Sequence, residues 1–236
     1  MKKSYEKVFR NFISNVIIVL VVTVVAVVGL WSDRQSVSSA KLSPIYHGNA
    51  NQPNVSLMVN VYWGTEYLDE MLRIFREYQV TTTFFVGGSW AEKNAEALNK
   101  IVKDGHEIGN HGYFHQNHKA LNYEQNEAEI FNAQSVVEVL SGVHTNLFAP
   151  PSGSFCEATL QAAADLGYRT VMWSKDTIDW RDKSSDLIFK RATAKIENGD
   201  LVLMHPTADT LLALPRILDF YRQNGFRVVT VSENIR

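Results

Sequence analysis

From residue 55 to residue 236, short apolar runs alternate with longer amphipathic runs, which is the pattern of a parallel sheet covered by helices. Within residues 66–78 the apolar positions recur three or four apart, which predicts one buried helical face. The pattern predicts one α/β domain built from about seven strand–helix units. The predicted strands are residues 55–61, 81–86, 106–110, 146–148, 169–173, 201–204 and 227–231. The predicted helices are residues 66–78, 91–104, 123–140, 157–166, 184–197 and 210–224.

The N-terminal pattern is different, because residues 16–31 are apolar and uncharged. Extending this run back to residue 12 gives about 20 residues, the length that a helix needs to cross a bilayer. Basic residues dominate positions 1–11, which predicts a cytoplasmic N-terminus and an extracytoplasmic domain. We expect residues 12–31 to be a transmembrane anchor at the cell membrane and residues 32–54 to be a polar linker. The alternatives are a signal peptide cleaved near Ala40, which would release a secreted protein, and a buried core segment.

Composition and net charge limit the kinds of function that the protein can have. The chain has 236 residues, of which 45% are hydrophobic, so that one sizeable core can form after the N-terminal segment. A formal net charge of -2 and the absence of a basic run argue against nucleic acid as a partner. Cys156 is the only cysteine, which excludes an internal disulfide.

Two histidines four residues apart follow the third predicted strand, and a third histidine ends the sixth. A neutral imidazole binds Zn²⁺, and a catalytic zinc commonly takes three protein ligands and a water molecule. His111 and His115 are therefore predicted to bind Zn²⁺ or another divalent metal, with His118 as a weaker candidate for a third ligand. The alternative is a pair of hydrogen-bonded structural histidines.

His205 lies at the end of a buried strand, where a carboxylate could fix its tautomer and let it donate a proton. Asp176 and Asp179 are the available carboxylates, although either could instead cap its own loop. Because parallel strands present their following loops at one end of a barrel, these residues are expected to share a cleft. Aromatic rings there could stack on sugars or fill the cleft rim. The predicted substrate-binding residues are Trp63, Tyr113, Pro151, Ser152, Gly153 and Trp180.

Four motifs in this order, GHEIGNHGYFH, APPSG, DTIDW and LVLMHP, resemble the polysaccharide deacetylases of the NodB homology type, carbohydrate esterase family four. The resemblance covers about residues 55–236 and is greatest to divergent deacetylase-like sporulation proteins of endospore-forming bacteria, several of which are membrane-anchored. It implies a distorted (β/α)₇ barrel and an Asp-His-His metal site. It also implies removal of acetyl groups from N-acetylated sugars such as those of peptidoglycan.

Residue by residue, the resemblance implies metal ligation by His111 and His115 and general acid catalysis by His205, with Asp179 and Trp180 in the motif that flanks the acid. The sequence departs from the family pattern at three positions. Two adjacent aspartates end the first strand of active members, and their positions are assigned here to Asn60 and Val61. Ala149 stands where the family has an arginine. The loss of the carboxylate at position 60 and the loss of the arginine at position 149 are physically coupled, since an arginine beside a neutral asparagine would be a partly buried cation without a partner.

These observations favour a membrane-anchored, extracytoplasmic deacetylase acting on N-acetylated cell-wall glycan by metal-dependent amide hydrolysis. Its site would be degenerate, with Glu66 or Asp176 replacing the missing base. One alternative is a protein that binds glycan without turnover. Another is a scaffold for envelope proteins, and a role in sporulation follows only from the resemblance.

Overall fold

The computed structural model describes residues 42–236, together with Val19 and Thr23. The strands in this part of the chain are β1 (Asn54–Val61), β2 (Thr83–Val86), β3 (Glu107–Asn110), β4 (Leu147–Phe148), β5 (Arg169–Thr170), β6 (Lys175–Asp176), β7 (Leu201–Met204) and β8 (Arg227–Val228). The helices are α1 (Leu68–Tyr78), α2 (Gly88–Lys93), α3 (Ala95–Lys103), α4 (Tyr123–Ser141), α5 (Glu157–Asp165), α6 (Ser185–Thr193), α7 (Ala208–Gln223) and α8 (Val231–Asn234). Two 3₁₀ turns, His118–Ala120 and Pro151–Gly153, lie in the loops.

All the strands described belong to one parallel sheet in the order β5-β4-β3-β2-β1-β7-β6, and β8 pairs with β1. Within residues 42–236 no strand pairing joins β5 to β6, so the sheet curls into a half-barrel that stays open at this point. This parallel, helix-covered architecture confirms the predicted α/β fold class. Since every strand runs in the same direction, the loops that follow the strands lie at one end of the half-barrel.

Strand β1 separates two apolar layers. Its odd-numbered residues, including Val59 and Val61, pack in the large cluster between the sheet and the helices. Met58 points to the other face and belongs to the interior cluster with Phe85 and Leu201. Alternation along the strand therefore turns Asn60 toward the interior, at the end where the loops converge. Full burial of each aliphatic side chain contributes about 1.5–3 kcal/mol to folding.

Several elements differ from the prediction: the fifth strand ends at Thr170 and not at residue 173, and the helix expected over residues 184–197 ends at Thr193. The single helix expected over residues 91–104 is two helices, because Asn94 leaves the helical region at φ -132° and ψ 44° and its side-chain amide donates to the Trp90 carbonyl. Strand β6 was not predicted, since its two polar residues carry no apolar pattern. The last strand is shorter than expected, and helix α8 begins where the predicted strand ends.

The predicted linker, residues 32–54, is wrong in its second half. Ile45 forms a parallel bridge with Val171 beside β5, and the Gly48 amide donates to the Gly199 carbonyl at 2.7 Å. The chain from residue 45 onward is therefore part of the folded domain. Its polar composition suggested a tether, but the backbone provides the hydrogen bonds whatever the side chains are.

The other predictions for the N-terminus concern residues before position 42. The basic segment 1–11, the first part of the linker and the anchor 12–31 lie outside the described residues, except for Val19 and Thr23 in the anchor. Among the helices that the structure describes, none has the length and apolar character needed to cross a membrane.

Candidate functional site

A cavity of about 290 Å³ opens at the end of the half-barrel where the strands lead into their loops. It brings together seven of the residues predicted from sequence, whereas Tyr62, Trp173 and Leu203 were not predicted. Trp173 ends the predicted fifth strand, so its position in the sequence already indicated the cleft. The lining residues are Asn60, Tyr62, His111, His115, Ser152, Trp173, Asp176, Trp180, Leu203 and His205.

One side of the cavity is formed by His205 and a buried carboxylate. Asp179, whose side chain has no exposed surface, accepts a hydrogen bond from His205 Nδ1 at 2.7 Å. Its second oxygen accepts from the His205 backbone amide and from Thr210 Oγ1, both at 2.6 Å. This pairing fixes the imidazole orientation and assigns Nδ1 as the protonated nitrogen. His205 could therefore exchange a proton with a ligand through Nε2.

Asp176 lies on the same side and lines the cavity. Its Oδ1 accepts from the backbone amide of Ile178 at 2.8 Å. Burial raises the pKa of this carboxyl above its ordinary value, against the lowering effect of that hydrogen bond. Asp176 is thus a solvent-accessible carboxylate held at the cleft wall, and Asp179 is the residue that orients His205.

His111 lies on the opposite side and is completely buried. Its Nδ1 donates to the Ala149 carbonyl at 2.7 Å, which leaves a lone pair on Nε2. Nε2 has no hydrogen-bond partner among the residues described. Burial, followed by the neighbouring imidazole of His115, holds the pKa of His111 well below its ordinary value.

His115 packs between His111 and an aromatic ring. The imidazole centroids of His111 and His115 are 5.0 Å apart, and the ring of Tyr62 stacks on His115 at 3.4 Å with an interplanar angle of 17°. Burial lowers the pKa of His115 to about 4. Trp63 stacks in the same way on His205, with centroids 5.2 Å apart. Consecutive aromatic residues therefore cover one imidazole on each side of the cavity.

The loop between His111 and His115 is held by the buried carboxylate of Glu129 on α4. Glu129 Oε2 accepts from the backbone amides of Tyr113 and Phe114, both at 2.9 Å. Gly112 has a positive φ of 69°, and a Cβ atom there would lie 2.9 Å from Nε2 of His118. The turn therefore needs glycine at this position, and it places His115 with a φ of 56° in the left-handed region.

The assignment of the lost aspartates to Asn60 and Val61 is wrong for Val61. Its side chain is 1% exposed and packs in the cluster between sheet and helices, facing away from the cavity. Asn60 does line the cavity, but the side chains in contact with His115 and His205 are those of Tyr62 and Trp63. The alternating apolar positions of β1 carry the signal that Val61 faces the helices.

The predicted substrate-binding residues divide into two groups. Ser152 and Trp180 line the cavity, and Trp63 borders it through its contact with His205. The hydroxyl of Tyr113 instead donates to Glu92 at 2.6 Å, which corrects its predicted position in the cleft. Pro151 and Gly153 do not line the cavity either. Pro151 is buried, and Gly153 lies against the ring of Trp173.

Ala149 and His118 have structural positions. Ala149 is buried in the interior cluster, and its carbonyl oxygen accepts from His111. His118 Nδ1 bonds the side-chain oxygen of Asn126 at 2.7 Å. Its ring does not line the cavity, so the structure does not support His118 as a third ligand.

One atom of this site is suited to bind a catalytic metal ion, but the other ligands that such an ion needs are not present among the residues described. The unpartnered Nε2 of His111 has the geometry of a ligand whose other nitrogen is fixed by a carbonyl. In the described part of the chain, however, no three His, Cys, Asp or Glu side chains are grouped so that they could hold an ion. The group stacked against His115 is a phenol ring, which offers no carboxylate oxygen to a metal ion. The residues present therefore do not fit a catalytic metal with three protein ligands.

Comparison with known proteins identifies relatives of this fold. Residues 47–171 match the polysaccharide deacetylase family. The Bacillus subtilis protein YlxY is 40% identical over 195 residues, which are 83% of this chain and 61% of that protein. The chain therefore spans less than two thirds of that relative. A peptidoglycan-N-acetylglucosamine deacetylase of Bacillus cereus is 32% identical over 176 residues, which are 72% of this chain and 82% of that enzyme.

Among solved structures, a CE4 family pseudoenzyme from Bacillus anthracis superposes with a TM-score of 0.80 and 36% sequence identity. The superposition covers 83% of this chain and 69% of the pseudoenzyme. Fold, motifs and sequence identity thus agree, and the chain belongs to the polysaccharide deacetylase family.

Proposed function

We propose that this protein is a membrane-anchored, extracytoplasmic deacetylase-like protein that binds cell-wall glycan in its cleft without hydrolysing it. The stacking of Tyr62 on His115 carries this proposal, because the group packed against this histidine is an aromatic ring and not a carboxylate that could bind a metal ion or act as a base. The same observation favours the non-catalytic alternative over the enzyme that the sequence favours.

Hydrolysis of an amide needs a polarised carbonyl, an activated water molecule and a protonated leaving amine. The His205–Asp179 pair is built for the last of these, since the carboxylate orients an imidazole that faces the cavity. On the other side, His111 and His115 are neutral acceptors. They do not form a complete metal site, and the group stacked on His115 is an aromatic ring and not a general base. The cleft thus retains the proton-transfer side of the reaction and lacks the side that activates water.

The walls of the cavity suit a sugar ring. Trp180 is 56% exposed at the rim, and Tyr62 and Trp173 contribute further aromatic surface. Aromatic faces combined with a few fixed polar groups are typical of sites that bind carbohydrate by stacking and hydrogen bonding. The similarity to a peptidoglycan deacetylase and to a pseudoenzyme of the same family supports glycan as the ligand and the loss of turnover. A sporulation role remains a prediction.

Asp176 favours a second candidate, a slow metal-dependent deacetylase. Its carboxyl lines the cavity and burial raises its pKa, which are properties of a general base. Glu66, the other predicted replacement, is exposed and accepts from the backbone amide of its neighbour Thr65. Asp176 is therefore the residue through which residual activity would have to operate.

The two candidates are separated by measuring acetate release and binding on the full-length protein in detergent. With saturating Zn²⁺ and N-acetylglucosamine oligomers or peptidoglycan, we expect no acetate above a protein-free control. Binding to insoluble peptidoglycan should persist with chelator and fall about tenfold in Trp180→Ala, while Phe131→Ala, an exposed aromatic on α4, should bind as the parent does. Acetate release that Asp176→Asn abolishes would establish the enzyme instead. Absence of glycan binding would favour the scaffold.

The proposed topology can be tested with Cys156, the only cysteine of the chain, which is partly exposed. A membrane-impermeant maleimide should label it in intact protoplasts if the domain is extracytoplasmic. Labelling only after lysis would contradict that location, and recovery of the protein in the culture medium would indicate a cleaved signal peptide.

A further inference from the structure

The cavity contains two buried hydrogen-bond acceptors that nothing in the described chain satisfies. They are Oδ1 of Asn60, a residue 3% exposed, and Nε2 of the fully buried His111. Both residues line the cavity. A buried acceptor without a partner costs about 1–3 kcal/mol, so a ligand that brings N–H or O–H donors would recover this free energy.

The charge of the cavity points in the same direction. Of the described residues that line it, none is Lys or Arg, and Asp176 contributes a carboxylate. Arg181 lies 5.9 Å from the ring centroid of Trp180 at the rim, but it is paired with Asp182. The cavity is therefore rich in acceptors and suited to a cation.

An acetylated amino sugar is a poor match for this arrangement. Its acetyl carbonyl brings no positive charge to Asp176, and the donors at the lining are neutral ones, namely the side-chain amide of Asn60 and hydroxyl and indole groups such as those of Tyr62, Ser152 and Trp180. A free, protonated amine brings three N–H donors and a positive charge, and aromatic walls attract cations. The chemistry of the lining thus favours the de-N-acetylated sugar.

We propose that the cleft selects the free amine of glucosamine units in a de-N-acetylated cell-wall glycan over the N-acetylated form. The inference rests on the proposed function, because it specifies which form of the glycan the cleft binds. The ammonium would be held by Asp176 and by the open acceptors of Asn60 and His111, with the sugar ring against the aromatic walls. Such a ligand is the product of amide hydrolysis on the same polymer, so an N-deacetylase must supply it.

Isothermal titration of the full-length protein in detergent tests this selectivity. The ligands are chitotetraose, which has four free amines, and its tetra-N-acetylated form, at a mildly acidic pH that protonates the sugar amine. Tetralysine controls for positive charge without sugar. We expect chitotetraose to bind at least about tenfold more tightly than either, since hydrogen bonds to charged groups contribute about 1.5–3 kcal/mol.

Variants identify the groups responsible. Asp176→Asn and Asn60→Leu should each weaken chitotetraose binding about tenfold and leave the acetylated oligomer less affected. Asn60→Asp should strengthen chitotetraose binding, because it adds a carboxylate to the cavity. Asp69→Asn, a change at a carboxylate that is 72% exposed on α1, is the matched control and should have no effect.

The outcomes separate this inference from the proposed function. Equal or tighter binding of the acetylated oligomer, reduced by Trp180→Ala, would leave the glycan-binding proposal intact and overturn the selectivity. Tetralysine binding as tightly as chitotetraose would also overturn it, because charge alone would then explain the affinity. If neither oligosaccharide binds, both proposals are wrong.

Discussion

The two sides of the cleft differ in how completely their polar groups are satisfied. On the His205 side, both oxygens of the buried Asp179 accept hydrogen bonds, and Thr210 closes the network from α7. On the His111 side, an imidazole nitrogen and the oxygen of Asn60 remain open, and Tyr62 replaces polar contacts by stacking. A satisfied network fixes one geometry, whereas open acceptors leave a site for a ligand.

Under the proposed function, this difference separates a side that keeps a proton-transfer arrangement from a side that does not activate water. The proton-transfer side keeps a carboxylate, Asp179, whose hydrogen bonds among the residues described join His205 to Thr210 on α7. The opposite side keeps its histidines but presents them to an aromatic ring. One half of the site can therefore change without the other, since each is held by its own hydrogen bonds.

The largest effect is expected at Val61, whose side chain faces away from the cleft. Val61→Asp would place a charge in the core between sheet and helices, and should destabilise the fold by about 4 kcal/mol or more. Asn60→Asp, one residue earlier but lining the cavity, should cost no more than about half as much, because its carboxylate borders the cavity. Urea unfolding followed by circular dichroism compares them. Similar losses in both variants would contradict the opposite orientations of the two side chains.

Asp179→Ala removes the acceptor at the centre of the satisfied side. The His205 amide, its imidazole and the Thr210 hydroxyl would then be left without their partner, which should cost about 3 kcal/mol. Asp69→Ala, at an exposed ion pair with Lys100, should change the free energy of unfolding by less than about 1 kcal/mol. An equally small loss for Asp179→Ala would show that its network is not stabilising.

His106 provides a test of histidine burial away from the cleft. It is buried like the imidazole of His111, without a carboxylate bonded to it, and burial lowers its pKa from 6.5 to about 4. The unfolded state therefore binds a proton before the folded state does, so stability should fall as the pH drops from 6.5 toward 4. The full difference is roughly 3 kcal/mol. Comparison of the pH profiles of the parent and His106→Gln checks this, and identical profiles would contradict it.

The smallest effect is expected at Thr210, the outer member of the satisfied side. Thr210→Val preserves the shape but removes the hydroxyl that donates to Asp179, and should cost about 1 kcal/mol. Thr210→Ser retains the donor and is the control for the hydrogen bond. In the valine variant, the NMR chemical shift of the His205 Nδ1 proton should also change, because its acceptor Asp179 has lost a donor. An unchanged chemical shift and unchanged stability would reduce Thr210 to a packing role.

Much of the fold follows from patterns visible in the sequence, because apolar periodicity reports which face of each element is buried. The strands with long apolar runs, such as β1 and β7, are predicted to within one residue. Strand β6 is not, since Lys175 and Asp176 become a strand only by pairing with β7. The break at Asn94 is likewise decided by one residue's backbone conformation, which no periodicity reveals.

The site was predictable to a different extent on its two sides. The position of His205 at a strand end and the nearby DTIDW motif indicate the pairing that the structure shows with Asp179. The other side depends on the loop conformation that carries His115 and on the ring of Tyr62 that stacks against it. Neither follows from residue spacing. The alternation of apolar residues in β1 does indicate that Val61 faces the helices. The resemblance to a family with an aspartate pair suggested instead that Val61 lies in the cleft.

The bridge between Ile45 and Val171 has a practical consequence for this half-barrel. Since β5 ends the sheet, its outer side offers free backbone groups, and the bridge occupies part of them. An unprotected strand edge is a site where two chains can pair and aggregate. A protein trimmed to begin at residue 55 would lose this cover, and solubility would suffer before the cleft itself was touched.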